Sequence, residues 1–272
     1  MTVQGPLLLV GCGKMGGALL RGWLAGGLPA AQTAVVEPQE AGRAALAPLG
    51  VTLVADPAEL PADLAPRMVV LAVKPQQMTA ALPAYRRFVR PGACFLSIAA
   101  GKTIGYFERH LGAEAAIVRA MPNTPAAVGR GITVACANRA VSAEQRAQAT
   151  ALLVAAGEVA WVEDESLIDP VTAVSGGGPA YVFLMIECLA KAGVAAGLPE
   201  DLAMRLARTT VSGAGELARQ SDEPAAQLRR NVTSPGGTTK EALDILMGPD
   251  GLEPLFVRAI AAATRRSREL AD

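Results

Sequence analysis

The stretch Leu7-Leu8-Leu9-Val10-Gly11-Cys12-Gly13-Lys14-Met15-Gly16 decides the fold of this chain. Its apolar first half predicts a buried strand, and the residues after it predict a helix over 15–25. Glycines spaced G-x-G-x-x-G between a strand and a helix are typical of a unit that binds a dinucleotide. Gly11 permits the tight turn, Gly13 lets a pyrophosphate approach, and Gly16 lets the helix pack on the strand. We therefore predict that all six residues of 11–16 line a cofactor site; a glycine-rich turn without a ligand is the alternative.

The alternation of strand and helix continues through the N-terminal half. Short apolar runs predict strands at Leu7–Val10, Thr33–Val36, Val51–Val54, Met68–Val73, Ala93–Ile98, Ala116–Arg119, Ile132–Ala137 and Val159–Val162. Helical patterns lie between them at Met15–Ala25, Glu40–Leu49, Gln76–Phe88 and from Ser142. This order predicts an α/β class and a Rossmann-like, doubly wound parallel sheet over residues 1–164.

Beyond residue 164 the pattern is helical only. The predicted helices are Ala180–Ala195, Asp201–Ala218, Thr239–Met247 and Leu252–Leu270, with Gly197, Gly213 and Gly251 between them. The helix after Ala180 is apolar around most of its circumference, and a small domain has little interior to bury it. Residues 165–272 are therefore predicted to form an all-helical dimerisation and substrate-binding domain.

The composition limits the classes of partner. The chain has 272 residues, 51% of them hydrophobic and 18% charged, with zero net charge. No basic patch indicates nucleic acid or a membrane surface. The four cysteines have no metal-ligand spacing, so we expect free thiols in a cytoplasmic protein and no metal. No apolar run is expected to reach membrane-spanning length, and no signal sequence is recognised.

Several residues at predicted strand ends are candidates for the cofactor site, because ligands of open α/β sheets bind there. Glu37 ends the second strand, where an acid commonly bonds the adenine ribose; a solvated acid is the alternative. Asp56 either approaches the same ribose or caps the turn at Pro57. Lys74 follows the fourth strand and is a candidate for hydrogen bonding to ribose or substrate. Ile98 and Ala100 lie at the end of the fifth strand and suit the flank of a flat ring.

A second glycine-rich segment, Ser234-Pro235-Gly236-Gly237-Thr238-Thr239, is a candidate anion site. Thr238 and Glu241 have capping-box spacing, which predicts a helix N-terminus here. Free N–H groups, the helix dipole and three hydroxyls would together suit a small carboxylate or a phosphate. An ordinary glycine-rich helix entry is the alternative.

Four motifs together resemble one family of enzymes. They are Ala72-Val73-Lys74-Pro75, Met121-Pro122-Asn123-Thr124-Pro125, Ser175-Gly176-Gly177-Gly178-Pro179-Ala180-Tyr181 and Asn231-Val232-Thr233-Ser234-Pro235-Gly236-Gly237-Thr238-Thr239. In their order and spacing they resemble the motifs of pyrroline-5-carboxylate reductases, over nearly the whole chain. The chain departs from that family at Gly177, where a serine is usual.

The resemblance implies hydride transfer from NAD(P)H to the C=N bond of L-1-pyrroline-5-carboxylate, giving L-proline. It places the 72–75 turn against the nicotinamide half of the cofactor and gives Thr239 a contact with the substrate nitrogen. Lys74 and Thr239 are thus the catalytic candidates. Ser234, Gly236, Gly237, Thr238 and Thr239 are candidates for binding the substrate. The resemblance also implies an intertwined homodimer, often assembled further.

The roles of two other motif residues stay open. Ser175 is a candidate donor to the substrate or to the nicotinamide amide, or its glycine-rich turn only lets the next helix emerge. Asn123 is expected near the cofactor, or it only shapes the proline-rich loop after the sixth strand.

The choice between NADH and NADPH depends on charge. Glu37 and Asp56 would place negative charge beside the adenine ribose, which disfavours a 2′-phosphate unless an arginine is near. Residues 37–42 contain no arginine, and Arg43 lies in the following helix. We therefore expect NADH to be used, with NADPH not excluded.

Three other functions remain as alternatives. A β-hydroxyacid dehydrogenase-like enzyme would use a lysine such as Lys191, another imine reductase would share the site, and a nucleotide-sensing module would lack turnover. The single histidine, His110, is expected at a helix C-terminus, which disfavours a Ser-His-Asp triad.

Overall fold

A computed structural model describes residues 5–271 of the chain. These residues form two compact units. One unit ends at Gly176 and resumes at Ala263, and the other is Gly177–Ala262. The boundary after residue 164 stays a prediction about domains; in the structure, Ile168 lies in the core of the sheet unit.

The first unit is built on one eight-stranded sheet in the order β3-β2-β1-β4-β5-β6-β7-β8. Its strands are β1 Leu7–Val10, β2 Thr33–Val36, β3 Thr52–Val54, β4 Met68–Leu71, β5 Cys94–Ser97, β6 Ala116–Met121, β7 Gly131–Ala137 and β8 Gly157–Trp161. The strands β1–β6 are parallel, as predicted for a Rossmann-like sheet. Strand β7 runs antiparallel to β6, because the connection over 122–130 is too short for a crossover helix.

Eleven α-helices lie within the described residues. They are α1 Lys14–Ala25, α2 Glu40–Leu46, α3 Pro75–Ala81, α4 Ile104–Leu111, α5 Ala143–Leu153, α6 Ile168–Val171, α7 Gly178–Ala195, α8 Glu200–Gln220, α9 Ala225–Asn231, α10 Thr238–Leu246 and α11 Leu252–Glu269. Helix α5 begins at a capping box between Ser142 and Gln145. A π-helical turn, Thr172–Gly176, joins α6 to α7.

The sheet is buried on both faces. Leu7 and Leu9 of β1 lie in one core layer, and Leu8 and Val10 lie in the other. This alternation follows from the two-residue period of a strand, and it explains why the strand is apolar throughout. The sheet therefore holds the loops at its carboxyl edge on a rigid support.

All predicted strands exist, but several ends differ. Strand β4 stops at Leu71, two residues before Val73, and β6 continues to Met121. The predicted helices Glu40–Leu49 and Gln76–Phe88 each end in a 3₁₀ segment, at 47–49 and 82–88. Gly213 lies inside α8 and does not punctuate it. Helix α9 and the π turn were not predicted.

The helical unit leaves large apolar side chains exposed. Along α7 only Ala190 is buried, while Phe183 is 60% exposed and Leu184 is 56% exposed. The helical run Glu165–Ala195 is also long and apolar enough, by length and composition, to cross a membrane. The expectation that no run has that length is therefore wrong. A helix that packs against a second subunit has the same composition.

Candidate active site

The glycine loop after β1 has the geometry that its spacing predicts. Gly11 has φ +80°, and a Cβ on it would lie 2.9 Å from Cγ1 of Val73. A Cβ on Gly16 would lie 2.7 Å from the carbonyl oxygen of Gly11. A Cβ on Gly13 would meet nothing within 4 Å, so this residue faces open space. Gly11 and Gly16 thus allow the turn to pack closely, and Gly13 leaves open space beside the loop.

The loop also presents unpaired donors at the N-terminus of α1. Among residues 5–271, no backbone acceptor or side chain takes the N–H groups of Gly13, Lys14 and Met15. The helix dipole adds partial positive charge at the same place. Free N–H groups and open space are what a pyrophosphate requires, so these residues fit a dinucleotide.

Glu37 occupies the end of β2 beside this loop. Its Oε2 accepts from the Cys12 N–H at 2.9 Å, and its Oε1 accepts from the Gln39 N–H at 2.9 Å. The residue is only 8% exposed. A Cβ on Gly42 would lie 2.8 Å from Cγ of Glu37, so α2 packs closely over the carboxylate. The side chain is held where the sequence predicts an acid.

Arg43 lies closer to this strand end than the sequence suggests. Its guanidinium donates to the carbonyl oxygens of Glu37 at 2.9 Å and Pro38 at 2.7 Å. The side chain therefore folds back from α2 along the end of β2. Sequence spacing places it more than a turn into the helix, and only the path of α2 brings it back.

Two other residues predicted for the cofactor site, Cys12 and Asp56, have identifiable roles. Burial, and next to it the charge of Glu37, raises the pKa of the Cys12 thiol to about 11. Cys12 is therefore a neutral thiol at physiological pH and adds no charge to the loop. Asp56 accepts from the Ala58 N–H at 2.8 Å, and Glu59 accepts from the Asp56 N–H at 3.2 Å. Asp56 thus caps the turn at Pro57–Glu59, the second of its two predicted roles.

The turn 72–75 follows β4 at the carboxyl edge of the sheet. Ala72 donates its N–H to the carbonyl of Val10 at 2.8 Å, which fixes the turn beside the glycine loop. Pro75 is the first residue of α3, and Lys74 is its exposed N-cap. No partner for the Lys74 ammonium lies within residues 5–271. Ile98 and Ala100 follow β5 at the same edge.

Asn123 and Ser175 lie together beyond β6. Asn123 donates from Nδ2 to Oγ of Ser175 at 3.2 Å, and its Oδ1 accepts from the Ile132 N–H at 2.9 Å. Both ends of the amide are therefore held by protein groups. Ser175 belongs to the π turn before α7. Single π turns occur frequently at functional sites.

The second glycine-rich loop opens α10 in the helical unit. Gly236 has φ +66°, which favours glycine, and Gly237 is the N-cap. The predicted capping box is wrong, because Thr238 is the first helical residue and no side chain caps the helix. The N–H groups of Thr238 and Thr239 have no acceptor within the described residues. Ser234, Gly236, Thr238 and Thr239 are all exposed.

The base of this loop is fixed by Asn231, a contact that the sequence did not indicate. Asn231 donates from Nδ2 to Oε2 of Glu223 at 2.9 Å and accepts from Nε2 of Gln227 at 2.6 Å. Glu223 is therefore the acid held beside the loop. Lys240 bonds both carboxylate oxygens of Asp244 at 2.6 Å, one turn along α10.

His110 lies in the last turn of α4, and its Nδ1 bonds the carbonyl oxygen of Tyr106 at 2.8 Å. This is the helix-end position predicted for it. The described residues contain no group of three His, Cys, Asp or Glu side chains that could hold a metal ion.

Two family models match the chain. One is described as pyrroline-5-carboxylate reductase dimerisation and matches residues 165–270. The other is described as NADP oxidoreductase, coenzyme F420-dependent, and matches residues 7–101.

Relatives match over the full length. A pyrroline-5-carboxylate reductase of Pseudomonas aeruginosa is 42% identical over 98% of this chain and 97% of its own. The structure of a pyrroline-5-carboxylate reductase from Coxiella burnetii has a TM-score of 0.92 and 34% identity, over 98% of this chain and 99% of its own. A Plasmodium falciparum pyrroline carboxylate reductase, solved with NADP bound, has a TM-score of 0.82 and 29% identity, with all of both chains covered.

The sheet with its glycine loop, joined to a dimerisation domain, defines an oligomeric oxidoreductase that uses a nicotinamide cofactor. The chain belongs to the pyrroline-5-carboxylate reductase family. Its reaction is hydride transfer from NAD(P)H to the C=N bond of L-1-pyrroline-5-carboxylate, which yields L-proline. The resemblance stated from the motifs is confirmed, and a dehydrogenase using Lys191 or a sensor without turnover is not supported.

Proposed function

We propose that this reductase uses NADH readily, and that the Ser234–Thr239 loop binds the substrate carboxylate. The observation that carries the first part is the fixed position of Glu37. Its two oxygens are each held by a backbone N–H, and α2 covers its methylene groups. A carboxylate that cannot swing away presents its charge to whatever binds at the end of β2.

The negative charge of the Glu37 carboxylate favours a ribose with two free hydroxyls over a ribose with a 2′-phosphate, because the hydroxyls can donate hydrogen bonds to it. A phosphate there would place like charges together in a partly buried site, where screening is weak. Arg43 is a compensating group that the geometry offers, since its guanidinium donates to the backbone carbonyls at the same strand end. NADPH is therefore accepted through Arg43, with lower efficiency.

The cofactor, when bound, supplies the hydride, and the protein holds the reacting groups. The substrate carries one carboxylate, and the free N–H groups of Thr238 and Thr239 at the start of α10 fit it. The hydroxyls of Ser234 and Thr238 add donors, and Gly236 and Gly237 let the backbone approach. Lys74, exposed and without a partner in the described residues, is assigned to the ribose or substrate beside the turn 72–75.

Thr239 is assigned to the ring nitrogen. The imine nitrogen reacts in its protonated form, so when the imine carbon receives the hydride, the electron pair of the C=N bond becomes the lone pair of a neutral ring amine. A hydroxyl donor at that nitrogen binds the transition state more strongly than the ground state, and this difference accelerates the reaction.

The assembly and location are also proposed from the sequence and structure. The exposed apolar side chains of α7 fit a homodimer that assembles further into an oligomer of dimers. Four free thiols fit the cytoplasm. Zero net charge supports the absence of nucleic-acid and membrane partners.

The cofactor proposal is tested by kcat/KM for NADH and NADPH in the wild type and in Glu37→Ser. We expect the wild type to favour NADH, and the substitution to lower this preference by about tenfold to a hundredfold, since hydrogen bonds to a charged group are lost.

Two variants serve as controls. Glu40→Ser removes an exposed carboxylate from the start of α2 and should leave the preference unchanged. Arg43→Ala should reduce the efficiency with NADPH more than that with NADH. A strong wild-type preference for NADPH that Glu37→Ser leaves unchanged would overturn the assignment.

A further inference from the structure

The amide of Asn123 has only one possible orientation. A backbone N–H can only donate, so the Asn123 atom that faces the Ile132 N–H must be Oδ1. The other end is then Nδ2, which can only donate, and it faces Oγ of Ser175. Ser175 Oγ is therefore the acceptor in this hydrogen bond.

The direction of the Ser175 proton follows. A hydroxyl carries one proton, and Asn123 already occupies one of its lone pairs. Within residues 5–271 no acceptor takes that proton. Ser175 is only partly buried, so the proton is available to a bound molecule.

The position of Ser175 indicates which bound group accepts this proton. Asn123 lies two residues after the end of β6, and a Cβ on Gly176 would lie 2.6 Å from Cε of Met121, the last residue of β6. In this fold the strands β1–β3 serve the adenosine half of a dinucleotide, where Glu37 lies, and β4–β6 serve the other half. Ser175 thus belongs to the nicotinamide side.

We infer that Asn123 is a positioning residue that acts through Ser175. It holds the Ser175 hydroxyl so that its proton is donated to the carboxamide oxygen of the nicotinamide ring. Asn123 itself does not touch the cofactor. The π turn at Thr172–Gly176 provides the local backbone that aims Ser175 at this place. The inference rests on the proposed cofactor site, which supplies the ring to be oriented.

Asn123→Asp is the informative substitution. An aspartate keeps an oxygen for the Ile132 N–H, so the loop retains its anchor. Its second oxygen can only accept, so Ser175 must donate to it and turns its proton away from the cofactor. The substitution therefore reverses one hydrogen bond and changes the size of the side chain very little.

The test is calorimetric binding of NADH and of ADP-ribose, which lacks the nicotinamide, to the assembled protein. We expect Asn123→Asp and Ser175→Ala each to weaken NADH about threefold to tenfold, the worth of one neutral hydrogen bond. Binding of ADP-ribose should not change. Combining the two substitutions should weaken NADH no further than Ser175→Ala alone, and Thr124→Ala, an exposed neighbour, should have no effect.

The outcomes separate this inference from the proposed function. Equal losses for NADH and ADP-ribose would show that Asn123 only supports the fold, and would overturn the inference. Unchanged NADH binding in Asn123→Asp would overturn it as well. If wild-type protein bound neither ligand, the cofactor site itself would be wrong.

Discussion

Thr239 is the residue on which the chemistry assigned to the helical unit depends. It is the second residue of α10, exposed, with an N–H that no described residue accepts. Both its N–H and its hydroxyl are thus available at the same end of the helix. This arrangement allows one residue to contact the carboxylate and the ring nitrogen of a small cyclic substrate.

Replacing Thr239 with alanine removes the hydroxyl and keeps the helix. We expect kcat to fall about a hundredfold, as when one donor to a developing charge is lost. Thr239→Ser should recover most of the activity, and NADH binding measured by calorimetry should not change in either variant. An unchanged kcat in Thr239→Ala would reduce this residue to a helix former.

Single residues show how far the sequence predicts the site. Spacing alone places Glu37 at the end of β2, because an acid about twenty residues after the glycines has a known place in this unit. The sequence pattern predicts Thr238 as the N-cap of α10. In the structure the N-cap is Gly237, one residue earlier, because Gly236 has φ +66° and Gly237 is extended. The bonds from Cys12 to Glu37 and from Asn231 to Glu223 join residues that only folding brings together.

At the scale of elements, the turn between β1 and α1 separates two roles of glycine. Gly16 touches the backbone of the turn, and Gly13 faces open space. Packing requires a glycine at position 16, and we propose that a bound pyrophosphate requires one at position 13. Sequence spacing predicts both glycines and cannot tell their roles apart.

This difference gives a matched pair of variants. Gly16→Ala should lower the free energy of unfolding by about 1–3 kcal/mol, since overpacking forces the turn to shift. Gly13→Ala should leave the thermal midpoint near that of the wild type, because its φ of −67° suits alanine and its Cβ meets nothing. Both variants should bind NADH more weakly by calorimetry. Normal NADH binding in Gly13→Ala would contradict a pyrophosphate at this loop.

Three other features of the secondary structure do not follow from the hydrophobic pattern of the sequence. The apolar sequence of β7 is typical of a buried parallel strand. Its antiparallel direction follows from the short connection over 122–130. The π turn at Thr172–Gly176 has no periodicity of its own, so only the motif around Ser175 marks it in the sequence. Gly213 lies exposed in the interior of α8, so its low helix propensity does not end the helix there.

At the scale of the whole molecule, we propose that the sheet unit binds the cofactor and the helical unit binds the substrate. The sheet unit buries its apolar residues in two layers, while the helical unit exposes Phe183 and Leu184. A membrane-length run at Glu165–Ala195 is consistent with a helix that a second subunit covers, as expected of the matched dimerisation domain. The composition predicted this assembly because so few charged residues lie along α7.

This assembly reduces L-1-pyrroline-5-carboxylate to L-proline, and we propose that NADH is its hydride donor. The most direct measurement follows NADH oxidation and proline formation together in the purified, assembled protein. We expect one proline for each NADH consumed, and no NADH consumption without the substrate. Folded protein that forms no proline with either NADH or NADPH would contradict the account.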